Sequence, residues 1–301
     1  MKPVPILIDT DPGVDDFFCI AIGCAFRELF DLKAITTIGG NNTTEVTTQN
    51  ALNILKLLHR DDVPVAKGAD SFLTRPFGRP VAKFHGANGL GNVELEKSDN
   101  DPVSLSACDM IYKTATECNG DLVVVTVGPE TNLALALNKY PDLKTLIKKI
   151  VVMGGTTTTG NITPYAEANI YNDAEAAKIV FASSIPIDMV GLNVTRLAPL
   201  RKSIFNTVSP DVRPEVRNVM EKLIEFRNEE AMHDAIAISS LVCDDIITWK
   251  NSYTYVIDGD SEKRGVTVTD FDAIPCNSRI AVAIDTSAYY RVVTDMINNY
   301  C

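Results

Sequence analysis

The chain has 301 residues, 28 Lys and Arg against 39 Asp and Glu, and a formal net charge of −11. Its 46% hydrophobic and 22% charged residues are typical of a globular protein and exclude wholesale disorder. A chain this acidic lacks the basic block that nucleic acids and anionic membranes require, so neither is an expected partner. A small substrate or a cation suits the composition better.

The cysteines and the N-terminal residues bear on the compartment. Seven cysteines form no Cys-x-x-Cys pair, which favours idle or buried thiols in a reducing compartment over a zinc site or a disulfide framework. The apolar stretch near the N-terminus is too short for a secretory signal, and no window approaches the length of a membrane span. We therefore expect a cytoplasmic protein.

Short β-rich segments alternate with helical patterns along the chain. The predicted strands are residues 4–8, 32–38, 122–127, 150–153 and 185–190. The predicted helices between them are residues 14–29, 44–59 and 174–181. Near-continuous apolar runs are typical of strands buried on both faces. The alternation predicts one α/β domain, residues 1–301, with a mainly parallel, Rossmann-like sheet flanked by helices.

The remaining segments fit this pattern less well. Residues 75–101 are rich in Gly and Pro without periodicity, which is typical of a functional loop. Residues 210–238 are predicted to be helical and charged, and their run 225–230 favours either a solvated helix face or a flap over a site. The segments 253–257, 265–269 and 279–284 are predicted edge strands before a final helix.

Four aspartates follow the first predicted strand: Asp9, Asp11, Asp15 and Asp16. They lie where open α/β sheets place ligands, at the carboxyl end of a strand. Capping of the next helix uses one or two of them, but four crowded carboxylates repel one another unless a cation or a substrate hydroxyl offsets their charge. Oxygen ligands favour Ca²⁺ or Mg²⁺ over zinc, so the cluster predicts a metal site.

Polar residues also follow later strands. The segment 126–132 leaves a predicted strand through a turn that could expose a backbone carbonyl to the cation. The loop 160–169 supplies Asn161, Glu167 and Asn169, whose donors and acceptors match the vicinal hydroxyls of a sugar. Ordinary turns are the alternative for both segments.

Two histidines lie in similar polar settings. His233 precedes Asp234 at the start of a predicted apolar helix, and His85 lies in a glycine-rich loop. Asp234 could complete the cation sphere and His233 could donate a proton, although a histidine at a helix start is often structural. These residues extend the predicted site to a distant part of the chain.

Six motifs, taken in chain order, resemble the inosine–uridine-preferring nucleoside hydrolase family: DTDPGVDD, HGANGLG, TVGPETN, VVMGG, GNITPYAEAN and MHDAIAI. The resemblance covers most of the chain. It implies a single α/β domain with Ca²⁺ at the carboxyl edge of its sheet, assembled as a homodimer or homotetramer. It also implies hydrolysis of the N-glycosidic bond of purine or pyrimidine ribonucleosides to free base and ribose, in nucleoside salvage or catabolism.

The resemblance also assigns roles to residues of this sequence. The implied calcium ligands are Asp11, Asp16, the carbonyl oxygen of Thr126 and Asp234. Asp15 is the implied general base, and His233 is near the leaving base. The implied substrate contacts are Asn41, His85, Met153, Asn161, Glu167, Asn169 and Asp234. Asn169 is also expected to stabilise positive charge on the ribose ring, as in glycoside hydrolysis.

This sequence departs from the family in two places. Asn88 stands in the histidine loop where relatives often carry an acid, and Ala168 stands where a bulkier apolar residue is common. The run 225–230 shows no obvious pair of residues for reading the base. Use of both pyrimidine and purine ribonucleosides is the expectation, because His233 is present and no tryptophan-rich clamp is evident.

Two other functions stay open at this point. The pair Asp9 and Asp11 mimics the motif of haloacid-dehalogenase-like phosphotransferases, which would use Mg²⁺ and a later acidic pair such as Asp244 and Asp245. A non-catalytic ribonucleoside-binding module would keep the pocket but lack turnover. Such a module would have lost a metal ligand or the base, and the sequence retains all of them.

Overall fold

The apolar runs of the sequence form one sheet in the computed structural model, which describes residues 2–78 and 82–301. The strands are β1 (Val4–Thr10), β2 (Phe30–Thr37), β3 (Val65–Lys67), β4 (Leu122–Thr126), β5 (Ile147–Met153), β6 (Ile187–Val190), β7 (Ile247–Val256), β8 (Thr267–Asp270) and β9 (Ser278–Ile284). Residues 79–81 of the predicted functional loop 75–101 lie outside the described residues.

Helices cover both faces of this sheet. They are α1 (Val14–Ala25), α2 (Thr44–Leu57), α3 (Ala82–His85), α4 (Ala107–Cys118), α5 (Thr131–Lys139), α6 (Leu143–Leu146), α7 (Ala168–Asn172), α8 (Ala174–Phe181), α9 (Leu192–Thr195), α10 (Pro214–Phe226), α11 (His233–Ser239) and α12 (Thr286–Asn298). Short 3₁₀ turns lie at Lys202–Asn206 and Asp244–Ile246. In the described ranges, no helix combines the length and apolarity needed to cross a membrane.

The strands of the described residues follow the order β3-β2-β1-β4-β5-β6-β9-β7-β8 in the sheet. The pairs from β3 through β9 are parallel, and β7 pairs antiparallel with both β9 and β8. The predicted α/β class with a mainly parallel sheet is therefore confirmed. Strand order reverses between β1 and β4, and such a reversal opens a crevice at the carboxyl ends of the two strands.

Strand β1 shows why the apolar runs are continuous. Ile6 and Ile8 face one hydrophobic cluster, which includes residues of α1, α2, α10, α11 and α12. Leu7 faces the opposite cluster, with residues of α4, α5 and α8. All three side chains are fully buried, and each such burial stabilises the fold by about 1.5–3 kcal/mol. Central strands are thus fixed between two layers of helices, so their carboxyl ends are rigid supports for a site.

Several predicted boundaries were wrong, and backbone turns explain two of them. The first helix ends at Ala25 rather than residue 29, because the chain must turn before β2. The predicted helical stretch 210–238 is split into α10 and α11, since Asn228 and Glu229 adopt positive φ of 50° and 58° that no right-handed helix accommodates. Strand β9 lies between β6 and β7, so it is not the predicted edge strand; β8 occupies that edge.

Candidate active site

A cavity of about 560 Å³ opens at the carboxyl edge of the sheet, beside the point where strand order reverses. It draws together residues that are far apart in sequence. The sequence-predicted residues that line it are Asp15, Asn41, His85, Met153, Asn161, Glu167, Asn169, His233 and Asp234. The remaining predicted residues, Asp11, Asp16 and Thr126, are buried at the ends of β1 and β4 and the start of α1.

The start of helix α1 positions the aspartates. Asp16 closes a capping box, in which its Oδ2 accepts a hydrogen bond of 2.9 Å from the backbone N–H of Gly13. Its Oδ1 accepts from the Thr10 hydroxyl. Asn41 links this carboxylate to Asp11, because its Nδ2 donates to Asp16 and its backbone N–H donates to Asp11 Oδ2. Capping thus uses part of the cluster and leaves other oxygens for chemistry.

Asp15, Asp16 and Asp234 could hold a metal ion. One carboxylate oxygen from each lies within 4.8 Å of the others, and all three residues are buried. Oδ1 of Asp11 and Oδ1 of Asp15 are also buried and find no hydrogen-bond partner in the described part of the chain. An all-oxygen donor set with unpartnered oxygens is what a hard divalent cation requires. The residues present therefore fit such an ion.

The electrostatics of the cluster point the same way. Burial, followed by the negative charge of Asp16, raises the pKa of Asp11 well above its usual range. Burial, and after it the negative charge of Asp15, also raises the pKa of Asp234 well above its usual range. The same two causes raise the pKa of Asp16 to about 7. Several buried like charges are unfavourable without a compensating cation.

Asp15 is the exception in this cluster. Burial acts to raise its pKa, but nearby positive charge, that of Arg227 first, outweighs burial and lowers the pKa below its usual value. Asp15 therefore keeps a negative charge, and its Oδ1 has no hydrogen-bond donor from the described residues. An ionised carboxylate with a free oxygen is suited to accept a proton.

Three glycines let the walls of the site approach one another. A Cβ at Gly13 would lie 2.3 Å from Nδ1 of His85, and a Cβ at Gly40 would lie 2.2 Å from Oδ2 of Asp11. A Cβ at Gly128 would lie 2.7 Å from Oδ1 of Asp11. A side chain at any of these positions would displace His85 or Asp11, so glycine allows the loops after β1, β2 and β4 to meet at the site.

His85 comes to the site as the last residue of the short helix α3, between β3 and α4, rather than in the predicted loop. Its Nδ1 accepts a 3.2 Å hydrogen bond from the backbone N–H of Val14 and lies 3.9 Å from Oδ1 of Asp15. Asn50 of α2 holds the loop that follows α3 by donating to the carbonyls of Pro12 and Asn88. Burial lowers the pKa of His85 to about 4, so the imidazole is neutral near pH 7.

Backbone N–H groups fix the predicted sugar-binding loop, residues 160–169, which is called the sugar loop below. Both carboxylate oxygens of Glu167 accept N–H groups, Oε1 from Asn169 and Oε2 from Gly155 and Ile170, so Glu167 caps helix α7. Asn169 donates its amide N–H₂ to the carbonyls of Val127 and Met153, at the ends of β4 and β5. The amide oxygen of Asn169 is thereby directed away from those strands. Burial raises the pKa of Glu167 above its usual value.

Helix α11 supplies another part of the cavity wall. His233 is its first residue, and His233 Nδ1 lies 2.7 Å from the hydroxyl of Thr195 at the end of α9. Burial lowers the pKa of His233 to about 4. Asp234 follows in the first turn of α11, and α11 packs on α1. This packing brings Asp234 to the aspartates after β1.

Several lining residues were missed from the sequence. They include Phe84, Leu192, Arg196, Arg227, Glu229 and Glu230. Arg196 follows α9 and donates to the carbonyls of Thr159 and Gly160, which holds the sugar loop. Arg196 could have been found by extending the strand-end rule to β6. Arg227, Glu229 and Glu230 lie in the charged run 225–230, and their place in the cavity lining favours the flap over a site, one of the two interpretations of that run, over a plain solvated face.

Asp9 does not have the position that a phosphotransferase nucleophile would need. It is fully buried, and its Oδ1 accepts hydrogen bonds from Thr36 and Asn132 in the interior of the sheet. Asp244 lies in a 3₁₀ turn that follows helix α11 rather than a strand. The geometry therefore favours a site built on Asp11, Asp15 and Asp16.

Comparisons with known proteins agree on one family. A family model described as inosine-uridine preferring nucleoside hydrolase matches residues 6–291. A pyrimidine-specific ribonucleoside hydrolase of Escherichia coli is 35% identical over 313 residues, covering 99% of each chain. A plant nucleoside hydrolase superposes with a TM-score of 0.91 at 29% identity, over 98% of this chain and 99% of the other. A purine-preferring ribonucleoside hydrolase of Gardnerella vaginalis gives 0.90 at 30% identity, over 98% of each chain.

Proposed function

Since the chain belongs to the inosine-uridine preferring nucleoside hydrolase family, we propose that it is a Ca²⁺-dependent enzyme that hydrolyses both purine and pyrimidine ribonucleosides. The products are the free base and ribose, in nucleoside salvage or catabolism. The observation that carries this proposal is the buried Asp15 oxygen without a hydrogen-bond partner among the described residues, at the wall of a cavity that also contains Asn161, Glu167 and Asn169.

The proposed ligands of the cation are the carboxylates of Asp11, Asp16 and Asp234 and the carbonyl oxygen of Thr126. The close approach of the Asp16 and Asp234 carboxylates and the unpartnered Oδ1 of Asp11 support the three carboxylate ligands of this set. When bound, Ca²⁺ would offset the negative charge of these carboxylates and orient oxygen ligands at this end of the cavity. The ligand set consists of oxygens alone, which favours Ca²⁺ over zinc.

Asp15 is proposed as the general base. Its Oδ1 accepts the proton of the attacking water while the water oxygen forms a bond to the anomeric carbon of ribose. The positive charge of Arg227 keeps Asp15 ionised by lowering its pKa against the effect of burial. Helix α1 fixes the position of Asp15 through the neighbouring capping residue Asp16.

The sugar loop is proposed to bind ribose and stabilise the charge that develops on it. Breaking the glycosidic bond leaves the ring with oxocarbenium character. The amide oxygen of Asn169 and the carboxylate of Glu167 offer negative potential to that ring. Asn41, Asn161, Met153 and Asp234 complete the proposed substrate contacts, together with His85 from helix α3.

His233 is proposed to assist the departing base. The electron pair of the broken bond passes to the base nitrogen, which must gain a proton or a hydrogen bond. When the Thr195 hydroxyl donates to Nδ1 of His233, the ring proton resides on Nε2, which can then donate to the base. Thr195 is thus a positioning residue for His233.

Three further proposals concern the molecule as a unit. Residues 1–301 form one nucleoside hydrolase domain, as the single sheet that runs from β1 to β9 suggests. The chain assembles as a homodimer or homotetramer, which light scattering on the purified protein would measure. Its place is the cytoplasm, where its seven cysteines would stay reduced; fractionation of cells that express it tests this.

The experiment that tests the function is a reducing-sugar assay. The purified protein is incubated with inosine, adenosine, guanosine, xanthosine, uridine and cytidine, before and after chelation and again after Ca²⁺ is restored. We expect ribose release from purine and pyrimidine substrates that stops on chelation and returns with Ca²⁺. Absence of ribose release from every nucleoside in the presence of Ca²⁺ would refute the proposal.

A further inference from the structure

We propose that the cavity also accepts ribonucleoside 5′-monophosphates, whose phosphate group binds to the guanidinium of Arg196. The products are then the free base and ribose 5-phosphate. This inference rests on the proposed ribonucleoside activity and adds a substrate class that carries a charged group at the 5′ position. The observation behind it is an arginine that is fixed at the cavity wall and keeps N–H groups for a ligand.

The side chain of Arg196 is held in one orientation by the chain at the start of the sugar loop. Nη1 donates to the carbonyl oxygen of Thr159 at 2.8 Å and to its hydroxyl at 3.0 Å, and Nη2 donates to the carbonyl oxygen of Gly160 at 2.7 Å. A guanidinium has five N–H groups, so these contacts leave the Nε–H and one N–H of Nη2. Those groups lie side by side on one edge of the guanidinium, the fork that binds a phosphate or a carboxylate.

Within the described residues, no acceptor occupies this fork. Arg196 is exposed and lines the cavity, and it forms no ion pair with an acid in that part of the chain. Arg217 and Arg227, by comparison, contact the carboxylates of Glu221 and Glu230. In a chain with a net charge of −11, an arginine at a cavity wall without an acidic partner favours a role in binding an anion.

The guanidinium lies at the 5′ end of the proposed substrate. Ribose carries the base on C1′ and the 5′ group on C4′, two carbons that flank the ring oxygen, and its vicinal hydroxyls lie on the opposite edge. With these hydroxyls directed at Asp234, a proposed substrate contact, the base and the 5′ group leave the ring on opposite sides. His233 is proposed to contact the base. Although Arg196 follows Thr195, which contacts His233, its guanidinium binds the residues directly before Asn161.

The adjoining part of the sugar loop provides space and a further donor for the phosphate. Oδ1 of Asn161 accepts the backbone N–H of Ala168 at 2.9 Å, and no acceptor in the described ranges takes the amide N–H₂ of Asn161. Ala168 presents only a methyl group to the cavity, whose volume is about 560 Å³. A phosphate at this point can therefore accept hydrogen bonds from both Arg196 and Asn161.

The acidic residues of the same cavity are engaged by other groups. Glu229 accepts a backbone N–H group, and Glu230 contacts an arginine. Both carboxylate oxygens of Glu167 accept backbone N–H groups. Asp15 and Asp234 belong to the aspartate cluster, whose charge a bound cation would offset. A phosphate at Arg196 thus meets an uncompensated positive charge rather than an uncompensated carboxylate.

The hydrolytic step is the same for both substrate classes. The oxygen of water forms a bond to C1′ and a proton of that water passes to Asp15. The bond between C1′ and the base nitrogen breaks, and its electron pair passes to the base, which gains a proton. The phosphate ester takes no part, so the sugar leaves as ribose 5-phosphate. Binding of the phosphate by Arg196 raises kcat/KM for the monophosphates.

The test compares uridine and inosine with their 5′-monophosphates in the presence of Ca²⁺. Phosphorus NMR identifies the products, because ribose 5-phosphate keeps its phosphate ester whereas a phosphatase would give inorganic phosphate. We expect the wild type to form ribose 5-phosphate with a kcat/KM at least equal to that for the nucleoside. Ribose 5-phosphate should also inhibit uridine hydrolysis at concentrations about 10-fold or more below those of ribose, a comparison that needs no variant.

The variants Arg196→Gln and Arg196→Lys separate phosphate binding from support of the sugar loop. A loosened loop lowers kcat/KM for nucleosides and monophosphates by a similar factor, so the ratio of the two is the informative quantity. We expect Arg196→Gln to lower the monophosphate-to-nucleoside ratio by about 10- to 100-fold, the scale of a lost charged hydrogen bond. Arg196→Lys keeps the charge but loses the fork, and its ratio should lie between the two. Arg201→Gln changes an exposed arginine outside the cavity and should keep the wild-type ratio.

Three results would overturn the inference. One is a wild type that hydrolyses uridine and inosine but forms no ribose 5-phosphate from the monophosphates. Another is equal inhibition by ribose and ribose 5-phosphate, and the third is an Arg196→Gln variant with the wild-type ratio. The first two hold even when Arg196→Gln fails to fold. If the wild type releases sugar from neither nucleosides nor monophosphates, the proposed function itself fails, which is distinct from all three.

Discussion

At the scale of single residues, hydrogen bonding separates groups that look alike in the sequence. Glu167 and Asp15 are both buried acids that follow strands, but both oxygens of Glu167 accept backbone N–H groups, so much of its role is to hold the sugar loop. Asp15 keeps an oxygen without a donor from the described residues. The residue best placed to take a proton is therefore Asp15.

The variant Asp15→Asn tests the role of that oxygen. We expect kcat for ribose release to fall by about 10²- to 10⁴-fold, the usual contribution of a general base, while the protein still binds Ca²⁺ in calorimetry. Asp16→Asn is the matched variant one residue away, and it should weaken Ca²⁺ binding because Asp16 is a proposed ligand. If Asp15→Asn abolishes Ca²⁺ binding instead, Asp15 is a ligand rather than the base.

At the scale of elements, a partly buried ion pair fastens the turn between β7 and β8 to helix α8. Arg264 is 1% exposed, and its two terminal nitrogens each donate to one oxygen of Glu175 at 2.6 Å. Its Nε donates to the carbonyl of Tyr171 at 3.0 Å. Tyr171 belongs to α7, which the sugar loop precedes. The pair thus holds α7 and α8 against the antiparallel end of the sheet.

This pair predicts a pH-dependent stability. The hydrogen bonds from Arg264 lower the pKa of Glu175 from 4.5 to about 2. The unfolded chain therefore binds a proton at higher pH than the folded protein, and the stability from this group is fully present above about pH 4.5 and is lost as pH falls toward 2. Glu175→Gln should cost about 2–3 kcal/mol at pH 7, measured by urea unfolding.

The control for this prediction is Asp258→Asn. Asp258 forms an exposed pair with Lys178 of the same helix α8, and pairs of this kind contribute less than about 1 kcal/mol. The difference between wild type and Glu175→Gln should shrink as the pH falls from about 4.5 toward 2. A difference that stays constant over this range would contradict the assigned ion pair.

At the scale of the whole molecule, the site depends on strands brought together by topology. The ends of β1 and β4 are neighbours in the sheet, with Asp9 opposite Thr126, although more than a hundred residues separate them. Asp234 arrives from a helix near the other end of the chain. Buried carboxylates from these elements stabilise the fold only when their charge is offset.

Removal of the metal should therefore affect the whole molecule. Chelation is expected to lower the unfolding temperature, and Ca²⁺ should restore it. The free energy of unfolding should rise with Ca²⁺ by an amount that reaches about 2.7 kcal/mol at a free Ca²⁺ concentration a hundredfold above Kd. Differential scanning calorimetry of the intact protein measures this. The variant Asp234→Ala should show little response to Ca²⁺. An unfolding temperature that chelation leaves unchanged in the wild type would argue against a structural metal in the cluster.

Local pattern predicted much of the fold and part of the site. The alternation of apolar strands and helices predicted the α/β class, because burial on both faces leaves a readable apolar run. The aspartates at the end of β1 and the start of α1 were found because four acids within eight residues exceed what capping uses. Arg227 was missed because a charged side chain near a helix end usually faces solvent, and only its contacts show that it is buried.

The sequence by itself determined the class of fold, the membership of the motifs in one family and the residue types available for chemistry. Tertiary structure decided which of those residues meet. Strand order placed β1 beside β4, packing of α11 on α1 brought Asp234 to Asp15 and Asp16, and the turn after α10 put Arg227 at the cavity. The reason is physical: apolar periodicity and capping are local along the chain, whereas a site requires distances between segments that only packing fixes.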